Sequence, residues 1–79
     1  MDNVETRLKI CFEAVFPDIA PEEILQSSQR SIPAWDSVAV ITLANTIEEE
    51  FDFQMDFDRL PELDSFERML IYVKTELRD

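Results

Sequence analysis

Residues 32–51 read IPAWDSVAVITLANTIEEEF, and their spacing decides the fold. Val40, Leu43, Ala44, Ile47 and Phe51 recur at steps of three and four, which puts them on one face of a helix. Asp36 is a favoured N-cap residue, so the spacing predicts a helix from Asp36 to about Phe51. Val38 and Ile41 add apolar surface off that stripe. Residues 37–47 carry no charge, whereas the end reads Glu48-Glu49-Glu50. Three acids at a helix C-terminus oppose the macrodipole, a local conflict that stability alone would not favour.

Working outward, Val4, Leu8, Cys11, Phe12 and Val15 give a first amphipathic helix, capped by Asp2 or Asn3 and ended by Pro17. Residues 17–35 form a long connection, with a helical turn expected at Pro21-Glu22-Glu23. Residues 52–63 hold Phe53, Met55, Phe57 and Leu60 as candidate buried positions. Their alternation fits a strand, but a lone strand has no sheet to join, so a helical turn or two is expected around 56–61. Asp64 caps a last helix, with Glu67 as its capping-box partner and Phe66, Leu70, Val73 and Leu77 as its stripe. The expected fold class is all-α, one domain over residues 1–79: a small antiparallel bundle of three main helices plus one short helix, with a long first loop. Without glycine, every helix end must be closed by another residue type.

The composition limits what such a domain does. Charged residues make up 32% of the chain, with 18 Asp and Glu against 7 Lys and Arg, for a net charge of −11. Residues 1–30 carry 6 acids and 3 bases, residues 31–58 carry 7 acids and no base, and residues 59–79 carry 5 acids and 4 bases. The single-signed middle repels nucleic acid and anionic membrane and attracts basic protein patches; acidity also serves solubility. No apolar run approaches the roughly 20 residues of a membrane span, and the polar N-terminus is unlike a secretion signal. One cysteine allows no internal disulfide and suits a reducing cytoplasm; cytoplasmic location and a monomeric state are the expectations.

Zero histidine removes the Ser-His-Asp and Cys-His nucleophile systems and histidine metal sites. Cys11 lies on an apolar stripe, as a packed core thiol does. Absence of glycine excludes phosphate-cradling loops and the calcium loop with its central glycine. No metal site and no enzymatic activity are expected.

Ser37 stands apart. Its bland reading is a first-turn residue behind Asp36. Yet the cap is already supplied, which leaves the hydroxyl free to point outward. A helix N-terminus also holds a phosphate ester well, through its dipole and unpaired N–H groups. Asp36-Ser37-Val38, the apolar run, and Glu48-Glu49-Glu50-Phe51 at its end resemble the prosthetic-group helix of acyl carrier proteins. Helix order, the long first loop and the acidity extend the likeness over nearly all of residues 4–77.

The resemblance implies that a phosphopantetheinyl transferase esterifies Ser37 with 4'-phosphopantetheine from coenzyme A. The arm's thiol would then hold acyl groups as thioesters, for acyl-transferring or condensing enzymes of fatty-acid, polyketide or other specialised lipid biosynthesis. By position, Asp36, Val38, Glu48 and Glu49 inherit docking to the basic patches of those enzymes. Val40, Leu43, Ile47, Phe57 and Leu70 are candidates to line an acyl cavity, or are plain core. Val38 stands where the family usually has leucine, and Trp35 where a small residue is common; these departures point to a dedicated pathway. Ser65 repeats Asp-Ser but lacks the acidic ending. Two alternatives remain: an unmodified acidic helical adaptor for a basic protein partner, and an aminoacyl or peptidyl carrier.

Overall fold

Helix α1, Val4–Val15, is the element around which the others pack. Asn3 opens it by accepting the Thr6 N–H, and the Phe16 N–H closes it on the Phe12 carbonyl. The computed structural model describes residues 3–77, so Asp2, the other candidate cap, lies outside the described residues. Leu8, Cys11 and Phe12 on α1 are buried, and α2 (Pro21–Ile24), α3 (Ser37–Phe51) and α4 (Phe66–Leu77) all contact this helix. A 3-10 helix, Phe57–Glu62, links α3 to α4. The chain is therefore an all-α bundle. The one β pairing among the described residues is an isolated antiparallel bridge between Ser28 and Ser65. Among those residues no helix is long and apolar enough to cross a membrane.

The core is aromatic at its centre. Phe12 meets Phe66 edge-on at 4.9 Å between centroids and Trp35 edge-on at 5.5 Å, while Phe16 stacks on Trp35 at 5.6 Å. Such arrangements add a little stability beyond the apolar area they bury. Trp35 is thus a core residue, and its burial fixes the chain two residues before Ser37.

Three expectations need correction. In α4 the core face is Phe66, Met69, Tyr72 and Val73, while Leu70 is half-buried and Leu77 exposed. From Phe66 the buried face advances by steps of three, so Met69 rather than Leu70 is fully buried. The α4 cap is Ser65, whose hydroxyl accepts the Arg68 N–H at 3.1 Å. That moves Glu67 out of the capping-box position to the second residue of the helix, and Asp64 pairs with the Arg68 guanidinium instead. Phe57 is exposed, because it opens the 3-10 helix at the surface.

Asp52 closes α3 in the left-handed conformation, φ 57°. Glycine is the residue this position favours, and a carboxylate there also faces the negative end of the dipole. Asp52→Gly is therefore expected to stabilise the domain by about 0.5–1 kcal/mol, raising the melting temperature by several degrees. Asp52→Val, which must also enter the left-handed region, lowers it. A thermal melt followed by circular dichroism distinguishes the two, and a Gly variant no more stable than the parent would refute this reading of the cap.

Candidate functional site

The site is the N-terminus of α3. Asp36 is extended (φ −110°, ψ −175°) and its Oδ1 accepts the Ala39 N–H at 2.8 Å. Its carbonyl accepts the Val40 N–H at 2.9 Å, the first bond of the helix. The backbone N–H groups of Ser37 and Val38 belong to the unpaired first turn, where the dipole favours a negative group. No acid lies within that turn of α3. The sequence thus builds a positively polarised tip, with Asp36 at its edge.

The chain has five serines, and the structure separates them by what their hydroxyls do. Ser27 is buried and donates to the Ile24 carbonyl at 2.7 Å. Ser28 and Ser31 engage each other, with Ser31 Oγ donating to the Ser28 carbonyl at 3.2 Å. Ser65 caps α4 and shares the bridge with Ser28. Ser37 is exposed, and alone among the five its hydroxyl has no hydrogen-bond partner within the described residues.

Ser37 also borders a cavity of about 280 Å³. Val40 and Ile41 of α3 form one wall, Phe57 and Leu60 of the 3-10 helix the opposite one, and Trp35 and Leu63 also face it. Gln29 and Asp64 supply a polar edge. That edge is held by the long loop, because the Gln29 N–H donates to the Asp64 carbonyl at 2.8 Å and the Phe66 N–H to the Ser27 carbonyl at 3.0 Å. Larger cavities, of about 330, 350 and 540 Å³, lie elsewhere and none of these touches Ser37. Of the five residues expected to line an acyl cavity, Val40 and Phe57 do so. Leu43 and Ile47 are fully buried in the core and Leu70 packs half-buried against it, and none of the three borders this space. Trp35, Ile41, Leu60 and Leu63 were not expected in this role. An apolar indole inside an otherwise polar loop, just after Pro33, was the signal for the first of them.

Trp35 carries a further feature. The residue is 3% exposed, and its Nε1 is a buried donor with no hydrogen-bond partner among the described residues. Leaving such a group unsatisfied costs about 1–3 kcal/mol.

The expected docking residues fall into two sets. Asp36 and Glu49 are exposed, and Val38 is 71% exposed beside Ser37, a degree of exposure that removes it from the core. Glu48 is half-buried, and its Oε2 accepts the Met55 N–H at 2.8 Å. Glu50 is also occupied within the chain. Arg7 Nε donates to its Oε2 at 2.8 Å, Arg7 Nη2 reaches its carbonyl at 2.6 Å, and the guanidinium lies 4.6 Å from the Phe51 ring centroid. The acidic end of α3 is therefore closed by a cation from α1 and by a loop N–H, which resolves the dipole conflict read from sequence. Of the three glutamates, only Glu49 has its carboxylate directed to no partner within the described residues.

Cys11 is buried, and burial pushes its thiol up to about 11, with Glu50 adding to the rise and Arg7 opposing it. A thiol so placed is a poor nucleophile. Because its folded value lies above the ordinary 9.0, the neutral form stabilises the fold. That contribution is whole below pH 9 and is lost as pH rises toward 11. Urea midpoints of the parent protein are expected to fall more steeply across this window than those of Cys11→Ala. Parallel profiles would show that another group titrates there.

Among the described residues, no three or more His, Cys, Asp or Glu side chains are grouped to hold a metal ion. Comparison with family models, with curated proteins and with solved structures finds no match to this chain.

Proposed function

We propose that the chain is an acyl carrier protein whose Ser37 bears a 4'-phosphopantetheine arm, transferred from coenzyme A by a phosphopantetheinyl transferase. The observation that carries the reading is the Ser37 hydroxyl: exposed, without a partner among the described residues, and set on the positively polarised tip of α3. Transfer joins Ser37 Oγ to the pantetheine phosphate, and 3',5'-ADP leaves with the broken phosphoanhydride bond. The first-turn N–H groups and dipole then favour the phosphodiester charge. The arm's terminal thiol holds acyl cargo as a thioester, and the carrier itself performs no chemistry on that cargo. Asp36 and Glu49, with the exposed Val38 beside Ser37, are the residues presented to basic patches on acyl-transferring or condensing enzymes. Attraction of this kind mainly raises the association rate and fades with salt.

Incubation of the apo-protein with coenzyme A and a broad-specificity transferase is expected to add one arm, seen as a single mass increment. Trypsin cleaves after Arg30 and Arg59, so the increment should fall on the peptide of residues 31–59. No addition, or addition to any other peptide, would overturn the reading.

A second reading is favoured by one observation: residues 31–58 hold seven acids and no base, and expose Val38 and Ile41. An unmodified adaptor would bind a basic, apolar-centred protein surface through that face. Its binding would weaken with salt and be indifferent to Ser37→Ala. An aminoacyl or peptidyl carrier shares the attachment chemistry and differs only in cargo, which the mass of the loaded thioester identifies.

A further inference from the structure

We propose that the groove along the long first loop, between the end of α1 and residues 32–34, docks a basic protein segment: an extended stretch with one large apolar side chain between two cationic ones. The groove lies apart from the exposed α3 face, and its use does not depend on the fate of Ser37.

Shape and size come first. The groove holds a cavity of about 540 Å³, and at about 30 Å³ for a water-sized group this is room for roughly eighteen such groups. A large side chain fits there together with the backbone on either side of it. Val15, Phe16 and Ile19 border the space from the α1 side, and Ile32 and Ala34 from the loop before α3. Phe16 is buried and stacked on Trp35, which anchors that side to the core. The Ile19 N–H donates to the Phe16 carbonyl at 3.2 Å and the Trp35 N–H to the Ile32 carbonyl at 3.0 Å, while Pro17 and Pro33 fix φ beside these turns. The groove is thus formed before anything binds, which removes an ordering cost. A second cavity of about 330 Å³ shares Glu23 and Ile32 with it and adds Gln26 and Ser31. The space therefore runs on along the loop and suits an extended chain.

Charge names the occupant. Asp18 and Glu23 are the charged residues bordering these two cavities, and no base borders either. Both are exposed, and neither carboxylate has a hydrogen-bond or ion-pair partner among the described residues. Apolar walls between two unanswered acids match an apolar side chain between two bases. Glu23 sits where the cavities meet and Asp18 borders only the larger one, so the bases flank the anchor on both sides. Nucleic acid and anionic membrane carry the wrong sign for this groove. A second copy of the chain fits poorly too, because two molecules of net charge −11 repel each other.

The probe is a short capped peptide, Gly-Ser-Arg-Leu-Arg-Ser-Gly, titrated at low salt into isotope-labelled apo-protein and followed by nuclear magnetic resonance. Amide resonances of Phe16, Asp18, Ile19, Glu23, Ile32 and Ala34 are expected to move together on one binding curve, while those of Val38 and Glu49 stay in place. Replacing the peptide's leucine by serine should weaken binding by at least about tenfold, the loss for one buried apolar side chain. Replacing both of its arginines by glutamate should abolish the shifts. On the protein, Asp18→Asn with Glu23→Gln should weaken binding by about fivefold, as for two exposed charge pairs, and added salt should shrink that difference. Ala34→Phe fills the groove from an exposed position and should abolish binding. Thermal melts equal to the parent's show that both variants keep the fold.

Groove resonances unmoved at peptide concentrations up to about 5 mM would overturn the proposal, as would shifts centred on α3 instead. An equal response to the serine-centred peptide would reduce the contact to charge attraction alone, and undiminished binding by Ala34→Phe would place it elsewhere; both outcomes also overturn it. Groove resonances that move with protein concentration in the absence of peptide would assign the groove to a second copy and refute the proposed occupant. Because the apo-protein is titrated, a positive result stands even if Ser37 receives no arm, and a negative one leaves the Ser37 reading intact.

Discussion

Ser37→Ala is expected to abolish arm addition outright while leaving the fold intact. Its hydroxyl has no partner within the described residues, so removing it should change stability by no more than about 0.5 kcal/mol. Asp36 still caps Ala39 and Val40 still closes on the Asp36 carbonyl, so α3 keeps its start. Ser65→Ala is the informative control. Ser65 caps α4 through Arg68, so its loss should cost about 1 kcal/mol and leave arm addition unchanged. Mass spectrometry and thermal melts on the two variants give opposite patterns. A Ser37→Ala protein that still gains the arm, or that melts far below the parent, would show that the hydroxyl has another role.

Phe12→Ala carries the largest expected stability effect. Phe12 is fully buried and meets Phe16, Trp35 and Phe66 at centroid distances of 6.0, 5.5 and 4.9 Å. Truncating such a side chain costs about 3–5 kcal/mol, against a total of about 4–12 kcal/mol for a domain of this length. Phe12→Leu, which keeps most of the volume, should cost far less. Urea titrations should place the Ala variant's midpoint far below that of the Leu variant, with part of the Ala population unfolded in buffer at the low end of that range. The consequence extends to the site, because Trp35 lies between Phe12 and Ser37 in this packing. A loss of less than about 1 kcal/mol would show that the aromatic centre is not what holds α1 to the loop before α3.

Much of this arrangement was legible in the sequence, and the residues show why. Helices α1 and α3 announce themselves through apolar spacing sustained over several turns, with Asn3 and Asp36 as caps, and both are local signals. Trp35 was harder to place, because its burial is set by Phe12 of α1 and Phe16 just beyond it, both distant in sequence. The Glu48-Glu49-Glu50 ending looked like a conflict, because the answering cation, Arg7, lies 43 positions away. Residues 53–57 alternate as a strand would, a period that does not declare the 3-10 helix they lead into. The segment is held by the Met55 N–H on Glu48 and by the Asp56 N–H on the Tyr72 hydroxyl, both 2.8 Å long and 7 and 16 positions apart in sequence. That segment forms one wall of the cavity, which is why sequence reasoning found Val40 and Phe57 but assigned Leu43, Ile47 and Leu70 to a space they do not border.

Protein purified from its native host and digested with trypsin tests the central claim most directly. The peptide of residues 31–59 contains two serines, Ser31 and Ser37, and the peptide of residues 60–68 contains Ser65. The account predicts that the first peptide carries a phosphopantetheine increment, with or without cargo, and that fragmentation places it on Ser37. Native material whose 31–59 peptide is uniformly unmodified, under conditions that preserve phosphodiesters, would contradict it.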